Sequence, residues 1–193
     1  MTTTHAEALT RDYEGTAVPA PGAYQLDTAH STVEFVAKHL MVAKVRGRFA
    51  GFSGTVTIAE VPEESQVEVT IDAASISTGN PDRDAHLRSA DFFDVERFPT
   101  LEFRSTEVAH RSGDDWTVTG ELALHGVTKP VVLHVEFAGA SPTPWGTRAV
   151  GFTAWAEVDR EEWGLTWNAA LETGGVVVSK KVRLELEVEA SAA

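Results

Sequence analysis

The side chains of this sequence that could carry out acid–base or metal chemistry are its seven histidines and the carboxylates near them. Asp82 and His86 are four residues apart, a spacing that would place both on one face of a helix. The sequence has no His-Glu-x-x-His motif, so a metal site would have to be assembled from separate strands. Its candidate ligands are His30, His39, His86, His125 and His134. This scatter predicts no metal site and no metal cofactor.

Nucleophilic chemistry has equally little support in the sequence. There is no Gly-x-Ser-x-Gly motif, and Ser53 lies on the polar side of an alternating segment with no visible activating group. The chain contains no cysteine, which excludes thiolate nucleophiles, disulfides and Cys-ligated zinc. The residues therefore predict a protein that is not an enzyme and has no catalytic side chain.

The elements that must position these side chains are short runs rich in Val, Ile, Thr and Phe, each bounded by Gly, Pro, Asp or Ser. Apolar and polar residues alternate most clearly from Val67 to Ala73, the pattern of a strand with one buried face. Segments of this type run over 31–38, 52–58, 67–73, 101–103, 116–124, 131–137, 150–158 and 182–188. They predict an all-β domain of about eight antiparallel strands, closed as a barrel or split as a sandwich.

The domain is expected to span residues 23–190. Residues 1–22 mix small, polar and charged types and end in Val18-Pro19-Ala20-Pro21-Gly22, a composition that predicts a flexible tail outside the core. Asp27, His30 and Ser31 precede the first of the strand segments, where their side chains are expected to bond to the backbone.

One segment, residues 78–89, departs from the strand pattern and predicts a short helix. Asn80 suits an N-cap, Pro81 the first helical position, and Asp82 the positive end of the helix dipole. Aromatic residues follow its end, including Phe92 and Phe93. A helix followed by apolar side chains between strands could cover one mouth of a barrel.

The cluster Arg83-Asp84-Ala85-His86-Leu87-Arg88 has two interpretations. In the first, which the pattern favours, Arg and Asp side chains pair with each other and with loop backbone, and the cluster only holds the helix in place. In the second, Arg83, His86 or Arg88 stands at the mouth of a cavity and binds an anionic or polar head group.

An eight-stranded barrel is just wide enough to be filled by its own side chains or to hold one small ligand. Periodicity alone favours a solid core, because apolar stripes usually pack against each other. Gly54 and Gly120 argue for a cavity, since an inward glycine is expected to leave space. Trp163 and Trp167 are packing residues or line the rim of an opening. The inward candidates of the strands are Phe35, Phe49, Phe52, Val56, Ile71, Phe103, Leu122, Leu124, Val135, Phe152, Ala154 and Ala156.

An ordered series of motifs resembles the YceI-like, polyisoprenoid-binding family. It begins with YQLDTAHS from Tyr24 to Ser31 and VRGRF from Val45 to Phe49. Its middle block comprises SIST, RDAHL and DFFD between Ser75 and Asp94, and HGVTKP follows from His125 to Pro130. The resemblance covers residues 24 to about 188, nearly all of the predicted domain.

This resemblance implies a lipocalin-like, eight-stranded antiparallel barrel with a short helix and loop covering one mouth. It implies that the protein binds and carries or stores a long-chain isoprenoid lipid, of the isoprenoid quinone or polyprenyl phosphate type, with no cofactor besides this ligand. The head-group candidates are His30, Arg83 and His86. The expected pore residues are Phe35, Phe49, Phe52, Val56, Ile71, Phe92, Phe103, Leu122, Leu124, Val135, Phe152, Trp163 and Trp167.

A second function stays open beside binding. In it the protein is a hydrolase or isomerase that acts on such a lipid through His30, His86 and Asp84. A third, a solid-core interaction module, would require a barrel without an internal cavity.

Composition limits the partners and the location. The formal net charge of −13 repels phosphate backbones, so nucleic acid is not an expected partner. No stretch of about 18 consecutive apolar residues is present, and the first residues lack the basic and apolar regions of a signal peptide. We therefore expect a cytoplasmic protein without stable membrane insertion. The sequence leaves a homodimer open.

Overall fold

The computed structural model describes residues 9–170 and 176–192, which form a β-barrel with one short helix. The helix, α1, spans Pro81–Arg88. The strands are β1 (Thr10–Tyr13), β2 (Thr16–Pro19), β3 (Gly22–Leu26), β4 (Thr32–His39), β5 (Ala43–Phe49), β6 (Phe52–Ile58), β7 (Gln66–Asp72), β8 (Ile76–Ser77), β9 (Thr100–Ser112), β10 (Asp115–Leu124), β11 (Val127–Pro142), β12 (Arg148–Asp159) and β13 (Val178–Ala192).

The barrel has eight antiparallel strand positions and is closed. Three of these positions are each formed by two consecutive short strands with an interruption between them: β3 and β4, β5 and β6, and β7 and β8. The other five positions are the single strands β9 to β13. Closure occurs at β13, which pairs with β12 along one side and with β3 and β4 along the other. The predicted lipocalin-like barrel is confirmed, and the sandwich alternative is wrong.

The interruption between β3 and β4 is held by side chains that replace ladder bonds. The Oγ of Ser31 donates to the carbonyl of Glu189 at 3.1 Å and accepts from the amide of Glu189 at 2.9 Å. A carboxylate oxygen of Asp27 accepts from the amide of Ala29 at 2.8 Å. The expected side-chain to backbone bonds of Asp27 and Ser31 are confirmed. Ser31 bonds to β13, and Asp27 holds the turn that precedes Ser31.

One end of the barrel, called the hairpin end, is covered by β1 and β2. Val18 is only 2% exposed, and the hydroxyl of Tyr24 donates to the carbonyl of Ala20 at 2.7 Å. The Arg11 guanidinium donates to the carbonyl of Ala59 at 3.2 Å. The expectation that residues 1–22 lie outside the core is therefore wrong for the hairpin, because its apolar residues fill the barrel end. Residues 1–8 of the predicted tail lie outside the described residues.

The opposite end, called the helix end, carries α1. The side chain of Asn80 accepts from the amide of Arg83 at 3.0 Å, and Pro81 opens the helix, as the sequence predicts. Arg88 ties the helix to the barrel by donating to the carbonyls of Ala74 at 2.8 Å and Ile76 at 2.6 Å. Among the described residues, α1 is too short and too polar to cross a membrane, and no longer helix occurs.

Candidate functional site

A cavity of about 620 Å³ runs through the interior of the barrel. Its wall is almost entirely apolar, with aliphatic and aromatic side chains from nearly every strand position. Inward residues such as Phe103, Leu133 and Val135 are only partly buried because they border this space instead of a packed neighbour. The solid-core alternative is therefore wrong.

All the residues expected to form the pore line this cavity. They are Phe35, Phe49, Phe52, Val56, Ile71, Phe92, Phe103, Leu122, Leu124, Val135, Phe152, Trp163 and Trp167. The strands place ten of them there, because apolar side chains alternate with polar ones along each strand and a closed barrel turns one face of every strand inward. Phe92, Trp163 and Trp167 reach the cavity from segments outside the strands.

The inward glycines do not create this cavity, contrary to expectation. A Cβ added at Gly120 would lie 2.4 Å from Cζ of Phe103 and 2.6 Å from the carbonyl oxygen of Arg104. At Gly54 it would lie 2.4 Å from the carbonyl oxygen of Glu68. These glycines let a neighbouring ring or strand approach closely, and the space lies elsewhere along the barrel axis.

The cavity ends inside the hairpin end. Val18, Pro19, Pro62 and Trp116 line it there, and all are buried. The segment predicted to be a tail thus supplies part of the wall, which the sequence reasoning missed because Val18-Pro19-Ala20-Pro21 has the composition of a linker.

At the helix end the cavity reaches the surface. Lys38 and His39 at the end of β4 line it on one side, and Asp82 and Arg83 of α1 line it on the other; all four are exposed. Lys38 was not predicted as a site residue and His39 was considered only as a metal ligand, although both lie at the end of an apolar alternating strand.

Of the three predicted head-group residues, Arg83 and His86 lie at this opening. Arg83 donates through Nε to the hydroxyl of Thr78 at 2.7 Å and through Nη2 to the carbonyl of Thr78 at 3.2 Å. The imidazole of His86 is 2.8 Å from a carboxylate oxygen of Asp91 through Nε2 and meets the Trp167 ring edge to face at 4.7 Å. Both side chains are positioned by neighbours and border the cavity.

The remaining charged residues of the helix cluster have structural roles. Asp84 is buried and accepts from the amide of Thr78 at 2.8 Å and from its hydroxyl at 2.6 Å. Burial acts to raise the pKa of Asp84, but these hydrogen bonds and the nearby Arg88 and Arg83 charges outweigh it, so its pKa lies below the ordinary value. For Asp84 and Arg88 the interpretation as helix anchors is therefore confirmed, through bonds to Thr78 and to loop backbone.

The two tryptophans near the helix end differ. Trp163 is 1% exposed and donates from Nε1 to the carbonyl of Leu122 at 3.0 Å, so it packs in the wall. Trp167 is partly exposed and stands against Phe92 and His86, with ring centroids 5.2 Å and 4.7 Å away. Of the two, Trp167 is the one that borders the opening.

His30, the third head-group candidate, does not line the cavity. Its Nδ1 lies 2.9 Å from a carboxylate oxygen of Asp27, a hydrogen bond that raises the pKa of His30 and lowers that of Asp27. Ligand atoms of Asp27, His30 and Glu189 lie within 4.8 Å of one another on the outside of the barrel, where they hold the interruption between β3 and β4.

The other histidines considered as metal ligands have separate surroundings. His125 is 3.1 Å from the carbonyl of Trp163 through Nδ1, His134 stacks on Trp155 with centroids 4.1 Å apart, and His39 lies at the opening. The structure therefore does not bring His30, His39, His86, His125 and His134 together.

Of the three residues of the enzyme alternative, Asp84 and His86 lie together on α1, and His30 lies far from both. His30 contacts Glu189 near one end of β13, whereas His86 packs on Phe92, which lies under Arg160 and hence near Ser179 at the other end. Ten residues of strand separate Ser179 from Glu189, about 30 Å at the rise of an extended chain. His30 and His86 cannot act on the same substrate atom.

Arg160 is a buried cation in the cavity wall to which the sequence reasoning gave no role at the site. Its Nε donates to the carbonyl of Ser179 at 3.0 Å and its Nη1 to the carbonyl of Leu165, while Cζ lies 6.0 Å from the centroid of Phe92. Burial lowers the pKa of its guanidinium. Asp159-Arg160, a charged pair that ends an apolar strand, was its only signal in the sequence.

Comparisons with known proteins agree with this geometry. A family model described as the YceI-like domain matches residues 24–190. A UPF0312 protein of Vibrio cholerae is 36% identical over 169 residues, which cover 86% of this chain and 85% of the relative. A UPF0312 protein of Staphylococcus aureus is 37% identical over 171 residues, covering 87% and 96%.

Three solved structures have similar folds. The YceI protein of Campylobacter jejuni has a TM-score of 0.70 at 28% identity, covering 81% of this chain and 90% of that one. BcnA of Burkholderia cenocepacia has a TM-score of 0.75 at 24% identity, covering 85% and 98%. A polyisoprenoid binding domain from Saccharophagus degradans, implicated in plant cell wall breakdown, has a TM-score of 0.62 at 19% identity, covering 90% and 100%.

Proposed function

Since this chain belongs to the YceI-like family, we propose that its barrel binds a long-chain isoprenoid lipid and serves as a carrier or store for it. The observation that carries the proposal is the apolar cavity of about 620 Å³, closed at the hairpin end and open at the helix end. The structural similarity to a polyisoprenoid binding domain of another organism supports this ligand class.

The free energy available from such a cavity suits a long hydrocarbon. Each CH₂-sized group moved from water into an apolar site contributes about 0.8 kcal/mol before other costs. Micromolar affinity needs only about −8 kcal/mol, so a few isoprene units suffice even after several kcal/mol of ordering cost. Apart from a few residues such as Ser65 and Arg160, the wall between Val18 and Leu87 is lined by apolar side chains, which suits a long hydrocarbon better than a compact polar ligand.

From the difference between the two ends we infer the orientation of the ligand. The chain end lies against Val18 and Trp116, and the polar head lies at the opening beside Arg83 and His86. A cationic or hydrogen-bonding surrounding of this kind suits a quinone oxygen or a phosphate. His30 has no part in this arrangement, because it lies outside the cavity.

Lipid extraction provides the first test. Protein purified without detergent is extracted with organic solvent, and the extract is analysed by mass spectrometry. Protein freed of bound lipid is then mixed with a polyprenol or an isoprenoid quinone, and native mass spectrometry measures the fraction of protein that carries the probe. A protein that carries no lipid and takes up neither probe would contradict the proposal.

Two neighbouring valines of β11 supply a matched pair of variants. Val135 faces the cavity, whereas Val132 faces outward and is 46% exposed. Val135→Trp fills the space a lipid would occupy, so we expect probe uptake to fall about tenfold or more, since about 1.4 kcal/mol corresponds to tenfold in affinity. Val132→Trp should bind as the unchanged protein does. Equal uptake by both variants would place the lipid outside the barrel.

A further inference from the structure

The turn between β4 and β5 has a charge opposite to that of the rest of the chain. Residues 35–59 contain no Asp or Glu but include Lys38, Lys44, Arg46 and Arg48, in a chain whose formal net charge is −13. Arg46 is neutralised by Glu34, at 2.7 Å, and by Glu185. The tip of this hairpin is therefore a basic element on an acidic protein.

Lys38 and Lys44 carry most of this local charge. They are directly opposite each other in the β4–β5 register, where like charges destabilise a strand pair. Among residues 9–170 and 176–192, neither lysine makes an ion pair. The arrangement leaves two exposed ammonium groups side by side, which favours an anionic surface as a partner.

The tip itself presents apolar side chains to solvent. Leu40, Met41 and Val42 are 39%, 51% and 86% exposed and are contiguous. The amide of Val42 donates to the carbonyl of His39 at 3.1 Å, and the two central residues of this turn have φ of 51° and 59°. Asn and Gly are the usual residues of such a left-handed turn. Leu40 and Met41 occupy it at a conformational cost, which points to a use for their exposed side chains.

The position of the tip relates it to the cavity. His39 and Lys38 line the opening directly before the turn, and the amide of Leu40 donates to the carbonyl of Val177, another residue of the cavity wall, at 2.9 Å. The apolar tip thus lies at the same end of the barrel as the opening, on the side of the opening that faces α1.

We propose that Leu40, Met41 and Val42, flanked by Lys38 and Lys44, dock this protein onto the anionic surface of a lipid bilayer. Short apolar insertions beside basic residues bind such surfaces by combining burial of apolar side chains with attraction to anionic head groups. The acidic remainder of the protein is repelled, so only the end with the opening faces the lipid. Transfer of cargo between bilayer and cavity rests on the proposed function, whereas docking does not.

Vesicle sedimentation tests the docking. The full chain is mixed with phosphatidylcholine vesicles and with vesicles that contain about one-third phosphatidylglycerol. We expect binding to the anionic vesicles only, and weaker binding at high salt because the lysine charges are screened. Equal binding to both kinds of vesicle would overturn the proposal. Binding to neither would also overturn it and would favour a protein as the partner of the tip.

A matched pair of variants locates the contact. Val42→Asp places a carboxylate at the tip, and Val132→Asp places the same group on the outer wall of β11. Both sites are exposed, so both variants should fold. We expect Val42→Asp to reduce vesicle binding about tenfold or more and Val132→Asp to leave it unchanged. Equal behaviour of the two variants would contradict docking through the tip.

The cavity variant separates this proposal from the proposed function. Val135→Trp should bind anionic vesicles as the unchanged protein does, while Val42→Asp should still take up a lipid probe presented without vesicles. If the unchanged protein binds anionic vesicles but takes up no lipid probe, the cavity function alone is contradicted. Uptake without vesicle binding would defeat docking alone.

Discussion

At the hairpin end the cavity stops against buried apolar side chains, whereas at the helix end it opens between charged ones. Each end has its own buried cluster, with Tyr24 and Ile58 in the first and Ile76 and Trp163 in the second. The covers differ as well. Val18 seals one end by packing, while Arg88 holds the cover of the other by hydrogen bonds to backbone carbonyls.

This difference assigns the stability of the barrel to the hairpin end and ligand access to the helix end. Apolar packing excludes water and resists opening, because every opening exposes hydrocarbon. A polar cover can open at lower cost, because water replaces the hydrogen bonds that it loses. The barrel is therefore expected to admit a ligand at the helix end while the hairpin end stays closed.

Val18→Asp should have the largest effect, because it places a carboxylate in the sealed end. Val18 is 2% exposed, and an unpaired buried charge is costly, so we expect a loss of about 4 kcal/mol in the free energy of unfolding. Urea unfolding followed by circular dichroism measures it. Ala17→Asp, on the exposed face of the same strand, should change stability by less than about 0.5 kcal/mol. Equal stabilities would show that the hairpin contributes no packing.

Arg88→Ala should have a smaller and local effect at the open end. It removes two hydrogen bonds from a charged donor, so we expect α1 to open at about 2 kcal/mol lower cost. Hydrogen exchange should show faster exchange in α1 and little change in β10, and bound lipid should exchange faster. Arg97→Ala, whose side chain is 74% exposed, is the control. Unchanged protection of α1 would mean that other contacts hold the cover.

Ser31→Ala tests the junction between the two halves of the barrel and should have the smallest effect. The loss of its hydroxyl leaves the amide and the carbonyl of Glu189 without this partner, at a cost of about 1.5 kcal/mol. The urea midpoint measures this cost, with Thr28→Ala, at an exposed neighbouring position, for comparison. Identical midpoints would indicate that water replaces the hydroxyl.

Much of the barrel follows from the sequence because alternation and end signals are local. β6 spans Phe52–Ile58 as predicted, and α1 begins at Pro81 behind the Asn80 cap. Alternation also identifies which strand residues face inward, which is why the predicted pore residues of the strands line the cavity. These features need no knowledge of distant contacts.

The remaining features depend on distances between segments far apart in the sequence. Alternation does not determine how far opposite walls stand apart, so the cavity itself could not be derived from it. Gly120 illustrates this limit, since the ring of Phe103 on a neighbouring strand occupies the space a glycine would leave. Val18 and His30 were misassigned for the same reason, because their roles depend on which distant strand end lies beside them.

The pairing of Leu26 with Ala190 has a kinetic consequence. The strand pairs that complete the wall join segments from near the two extremes of the described chain, so their formation must offset a large loop-closure entropy. Topologies dominated by such distant contacts fold slowly, in milliseconds to seconds. A nascent chain on a ribosome would thus expose its apolar strand faces until β13 emerges, which makes this interval the period of greatest aggregation risk.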